Sequence, residues 1–126
     1  MSDPGLALQV ALIEAIEGVV SVPVWDAVPQ DSDYPYIVID STNVANTDYL
    51  SARQDLRFVY VSVWSRKYGQ AEVLEIMGQI DQLNNVHLQL ATGEMSSLRI
   101  ERKRTVREPD NLTFMGQVTL RIFTLH

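Results

Sequence analysis

Residues 56–64, LRFVYVSVW, constrain the fold more than any other stretch. Strict alternation puts Phe58, Tyr60 and Trp64 on one side of an extended chain and Val59, Val61 and Val63 on the other. Both sides are apolar. Such a strand belongs at the centre of a sheet, or it has one face covered by a second subunit. Its β-branched and aromatic residues make an alternative helix unfavourable.

The elements around it follow from spacing. Asp3 and Pro4 form a helix start, with the acid as N-cap and proline in the first helical position. Leu6, Val10, Ile13 and Ile16 then recur near helical spacing and Gly18 ends the run, so a helix is expected over residues 4–18. Pro23, Pro29 and Pro35 hold residues 22–35 extended, and a short strand over 36–40 follows. Residues 41–55 are polar and read as a long loop or the tip of an extended hairpin. A second helix is expected over 68–84, with Ser65 as its cap and Val73, Ile76, Met77, Ile80 and Leu83 as its apolar stripe. The remainder reads as a short strand at HLQL, a turn near Gly93, and two long strands joined at Pro109-Asp110-Asn111. In the last strand Val118, Leu120 and Ile122 alternate with Gln117, Thr119 and Arg121, giving one buried face and one wet face. The order of elements predicts an α+β fold, a mostly antiparallel sheet with two helices packed on it, in a single domain spanning 1–126.

Chemistry is hard to find in this chain. It has 126 residues, 46% of them hydrophobic, which suffices for one core. It contains no cysteine, so disulfides, thiolate metal sites and thiol nucleophiles are excluded, and a reducing compartment is expected. The N-terminus lacks a signal peptide's basic region and no apolar run approaches a membrane span, so a soluble protein without a membrane partner is expected. His87 and His126 are the only histidines and are not spaced as metal ligands. Asp31 and Asp33 lack the later ligands of a calcium loop. No GxSxG, P-loop or GxGxxG occurs. The expectation is a protein that is not an enzyme and carries no metal or cofactor.

Charge is more informative. The net charge of −6 opposes generic nucleic-acid binding. Residues 1–55 hold nine acids and one base, whereas residues 56–126 hold nine bases and seven acids, balances of −8 and +2. The halves can neutralise each other within one fold, or they can attract a second copy head to tail. The basic cluster RIERKRTVRE places Arg99, Lys103 and Arg107 on one strand face with Glu101, and Arg102 and Arg104 on the other. It reads as a solvated hairpin, a contact for an acidic subunit, or a lining beside DNA. A recognition helix or stacking platform is not discernible.

The N-terminal LALQVALIEAI, then VWDAVPQDSDYPYIVI, VYVSVWSRKYGQAEVLEIMGQI and RTVREPDNLTFMGQVTLRI, in that order, cover most of the chain. Together they resemble the small tail-completion or tail-terminator proteins of long-tailed phages, prophages and gene transfer agents. That resemblance implies a virion structural role without cofactors. It implies a homo-oligomeric, hexameric ring assembled in the host cytoplasm at the head-proximal end of the tail tube. The ring would stop tube polymerisation, meet the head connector and let DNA pass through its lumen. On that picture Asp26, Asp31 and Asp33 face Arg102 and Arg104 of an adjacent subunit. The polar loop with Asn43, Asn46, Asp48, Tyr49 and Arg53 reaches the tube or the neighbour, and Arg99, Lys103 and Arg107 face the lumen. Two alternatives stand beside it: a head-completion protein, and a ligand-binding regulatory domain with Tyr34, Tyr36, Tyr60 and Trp64 as a pocket. A hydrolase would need a nucleophile–base–orienter set that the sequence does not display.

Overall fold

A computed structural model describes residues 3–48, 53–67 and 69–126. The chain runs α1 (Gly5–Glu17), β1 (Val24–Trp25), β2 (Tyr36–Asn46), β3 (Gln54–Ser65), α2 (Ala71–Ile80), a 3-10 turn (Asp81–Leu83), β4 (Glu94–Arg107) and β5 (Phe114–Leu125). The five strands form one sheet in the order β1-β2-β3-β5-β4. Only the β1–β2 pair is parallel. The fold is α+β with a mostly antiparallel sheet, as the sequence predicts.

β3 is the central strand. It pairs with β2 on one side and with β5 along its whole length on the other. Its valines meet the even residues of β5, Val59 opposite Leu120, Val61 opposite Val118 and Val63 opposite Gly116. All of these lie on the face that both helices cover. Val61, Val63, Val118, Leu120 and Ile122 are fully buried there, each contributing about 2 kcal/mol of transfer free energy. Helix α2 approaches β5 very closely at Gly116. A Cβ at that position would collide with Met77 and Val73, so the absence of a side chain lets the helix sit down on the strand.

The second helix matches its predicted stripe, with Val73, Ile76, Met77, Ile80 and Leu83 all buried. It starts later than expected, and Ser65 does not cap it. Gln70 holds the cap position, while the Ser65 hydroxyl donates to Glu72 at 2.5 Å and accepts from the Lys67 amide. The first helix corrects the sequence reading more strongly. Leu8, Leu12 and Ile16 are its buried residues, while Leu6 is 77% and Val10 50% exposed. This helix has apolar residues on several faces, so periodicity alone could not choose the stripe.

Three further differences concern strands. β2 runs on to Asn46 and β3 begins at Gln54, so residues 41–46 and 54–55 are paired strand rather than loop. The segment HLQL is not a strand and joins no ladder, although Leu88 and Leu90 are buried between exposed His87 and Gln89. Finally, the ladders shift register between Ile39 and Ser41, between Met95 and Ser97, and between Ile100 and Arg102. Each shift reverses which face the following side chains occupy.

Candidate functional site

The helices cover one face of the sheet and leave the other without a helix. Reading across the ladder, the open face carries Tyr36 beside Trp64, Val38 beside Ser62, and Asn43 beside Phe58. It continues with Phe58 beside Arg121, Tyr60 beside Thr119, and Trp64 beside Met115. On β4 it carries Arg99 beside Arg121, Arg102 beside Thr119, and Arg104 beside Gln117. Ser62, Met115 and Thr119 are buried within it, and the accessible aromatic residues and arginines are of the kinds enriched at protein interfaces. A five-stranded face of this kind offers on the order of 800 Å², about one partner's share of a standard interface.

The bulge at Glu101 decides the grouping of the basic cluster. Arg99 does not share a face with Lys103 and Arg107, as uninterrupted alternation predicts. Past the bulge the parity flips, so Arg99, Arg102 and Arg104 line up on the open face, while Lys103 and Arg107 turn to the helix side. There Lys103 is paired with Asp81 at 2.8 Å, and the Arg107 guanidinium lies 5.3 Å from the centre of the Phe114 ring. Among the described residues, Arg99, Arg102 and Arg104 are exposed and have no ion-pair partner. Arg121 has Glu101 at 3.9 Å.

The acidic residues sit at the opposite edge. Asp26, Asp31 and Asp33 are exposed on the segment that joins the edge strand β1 to β2. Its shape is set by a turn in which the Ser32 amide bonds the Pro29 carbonyl at 3.1 Å, and its Tyr34–Pro35 peptide is cis. Four strand spacings, about 19 Å, separate β1 from β4.

The hairpin tip is organised by Asp48. Its carboxylate accepts from the Asn46 side chain at 3.1 Å, the Gln54 amide at 3.0 Å and Arg53 Nε at 3.1 Å. The Asn46 bond, then the Gln54 amide and Arg53, hold its pKa below the usual carboxylate value. Asn43 lies on β2 instead, its side-chain amide 3.4 Å from the Tyr60 hydroxyl. Tyr49 lies outside the described residues.

Among the described residues, the four aromatics considered as a pocket divide between two places. Tyr34 and Tyr36 stand 5.0 Å apart, and Arg66 lies 4.6 Å over the Tyr34 ring. Burial, then the neighbouring Tyr34 hydroxyl, raises the pKa of Tyr36. Tyr60 lines a shallow cavity of about 240 Å³ with Phe58, Glu101, Arg102 and Thr119, without the other three.

Sequence reasoning missed a charged cluster under α1. Arg57 is 3% exposed; its Nη2 donates to Asp3 at 2.6 Å and to Asp55 at 3.2 Å, and its Nε donates to Thr124 at 2.9 Å. Asp3, Asp55 and His126 bring potential ligand atoms within 4.8 Å of one another. The guanidinium already occupies both carboxylates, so the donor set fits a buried arginine better than a metal ion. The only signal for it was a charged residue in an otherwise apolar alternation.

The structure is thus a helix-backed sheet with an aromatic and basic open face and with Asp26, Asp31 and Asp33 at the edge opposite the β4 arginines. A sequence profile of the tail completion protein gp17 family matches residues 6–125. The chain belongs to that family and is a phage tail structural protein. A subunit in a solved structure, "Virion of native gene transfer agent (GTA) particle", superposes with a TM-score of 0.87. It shares 19% sequence identity, and the match covers 100% of both chains. No curated protein matches the sequence.

Proposed function

We propose that this protein is a tail terminator, a homo-oligomeric ring at the head-proximal end of the tail tube. The ring stops tube polymerisation and presents a surface to the head connector. The observation that carries the reading is the placement of opposite charges on opposite edges of one sheet. Asp26, Asp31 and Asp33 flank β1, and Arg102 and Arg104 lie on β4. Where copies meet edge to edge, a two-fold axis would set like charge against like, whereas a copy related by rotation head to tail sets acid against base. Head-to-tail contacts between unlike patches close into rings when the rotation divides a full turn.

In this reading the subunit boundary is Asp26, Asp31 and Asp33 against the neighbour's Arg102 and Arg104. The tip with Asn46, Asp48 and Arg53 extends toward the tube or the adjacent subunit, with Asn43 behind it on β2. DNA passes through the lumen. Lys103 and Arg107, turned away from the open face, remain the lumen residues of the basic strand, whereas Arg99 goes with the interface.

Electron microscopy of the protein mixed with its tail tube protein tests the proposal. Rings capping tubes of uniform length are expected, and deletion of the gene should give tails of irregular length that do not join heads. Normal tails and infectious particles without the protein would refute it. Heads that leak DNA beside tails of normal length would assign it to head completion instead.

A further inference from the structure

We infer that the open sheet face is the seat for the proline-stiffened acidic segment of the next copy, with Val28 as the anchor in the cavity between Phe58, Tyr60 and Arg102. The inference rests on the ring reading and specifies where its subunits touch.

The receiving face shows a charge arrangement that the monomer does not neutralise. Arg99 and Arg121 are direct cross-strand partners; like charges placed opposite each other weaken a ladder. Arg121 has a distant acid in Glu101, at 3.9 Å, but among the described residues Arg99, Arg102 and Arg104 have no ion pair. The face is therefore complementary to an acidic occupant. At its middle is the 240 Å³ cavity lined by Phe58, Tyr60, Glu101, Arg102 and Thr119. The depression joins two aromatic rings to Glu101, Arg102 and Thr119, so one small hydrophobic side chain would rest against the rings while its flanking carboxylates reach Arg99, Arg102 and Arg104.

The same chain carries such a segment. Residues 26–33 read DAVPQDSD, with Val28 among the exposed large hydrophobic residues of the molecule. Asp26 precedes it by two positions, and Asp31 and Asp33 follow within five. From Val22 to Asp40 the chain has no basic residue. Pro29, with the Ser32-to-Pro29 turn, restricts the segment before it binds, which lowers the entropy lost on docking. The segment lies at the β1 edge and the seat opens toward β4, so one copy cannot fill its own seat and a neighbour can.

The natural absence of cysteine makes the contact directly testable. Val28→Cys is combined in one chain with Tyr60→Cys, and separately with Thr119→Cys, and the proteins are oxidised after assembly on tail tube protein. A covalent ladder of dimers, trimers and larger species is expected from these pairs. It should be absent from Val28→Cys with Leu74→Cys, because Leu74 is exposed on the outer side of α2. Val28→Asp, at an exposed position that leaves the core intact, should raise the concentration needed for ring formation by about tenfold, as loss of an interface anchor does.

Rings by microscopy with no ladder from either pair, and unchanged assembly of Val28→Asp, would overturn the seat while leaving the ring. Wild-type protein that never forms rings on tubes would overturn both. Intact rings in which Arg99→Glu and Arg102→Glu abolish retention of DNA without changing assembly would assign the face to nucleic acid and reject this inference.

Discussion

Arg57 shows how one residue can tie three elements together. It lies on β3, pairs in register with Val44 and Ile122, and reaches up to Asp3 beneath the start of α1. Pro4, not Asp3, holds the cap position of α1, but Asp3 accepts from the Gly5 amide at 3.0 Å, so the same carboxylate meets the first amide of the helix and clasps the sheet. Replacing Arg57 by leucine should destabilise the fold by about 3 kcal/mol in denaturant titration, since Asp55 is left buried without its counter-charge. Asp55→Asn in that background should recover part of the loss. The Arg57 hydrogen bond, then the Gly5 amide, lowers the pKa of Asp3 below its ordinary 3.8. A depressed folded-state pKa stabilises above the unfolded value and is lost as pH falls through the folded one. The contribution is therefore whole above about pH 4 and disappears under stronger acid. Asp3→Asn should flatten that acid limb in a pH series of melting temperatures while leaving the neutral-pH shape of the fold intact.

Among the elements, the contact of α2 with β5 depends on a missing side chain. Gly116 lies opposite Val63 on one side and Thr105 on the other, directly beneath Val73 and Met77. Gly116→Val should cost about 2 kcal/mol or more by overpacking, read as a lower melting temperature. Met77→Ala in the same chain should return some of it by making room. At the β4–β5 turn, Asp110 accepts from the Leu112 and Thr113 amides and the Thr113 hydroxyl, each at 2.8 Å. The turn was legible from Pro109-Asp110-Asn111 because aspartate closes local turns through its own carboxylate. The stripe of α2 was legible for a comparable reason: polar residues on its other side leave one choice of buried face. α1 has no such contrast. Leu8 and Leu12 were selected over Leu6 and Val10 only by where the sheet lay beneath the helix.

At the scale of the whole molecule, the sheet separates charge that the chain merely segregates along its length. Sequence order puts acids early and bases late, but strand order sets Asp26, Asp31 and Asp33 beside β1 and Arg102 and Arg104 on β4, at opposite edges. Arg102→Glu with Arg104→Glu should abolish ring assembly, as judged by sedimentation. Asp31→Lys with Asp33→Lys should abolish it independently. Mixing the two variants should restore association between unlike copies. Both double variants should remain folded, since all four residues are exposed. Assembly should also weaken as salt is raised, because exposed charges are screened within about 8 Å at physiological ionic strength.

The central strand, the α+β class, the second helix's buried stripe and the β4–β5 turn all came from local pattern, where neighbours along the chain carry the information. The family resemblance did too, through motifs in a fixed order. Tertiary structure alone decided the rest. It chose the buried side of a helix with apolar residues on several faces, buried Arg57 among Asp3, Asp55 and Thr124, and extended a polar stretch into a hairpin that its partner strand could satisfy. It also placed a single extra residue, Glu101, between Ile100 and Arg102, which turned Arg102 and Arg104 to the side of Arg99. The physical reason is common to all of these. Alternation and periodicity determine relative directions within an unbroken element, whereas bulges, strand order and what lies across a contact are properties of residues distant in sequence.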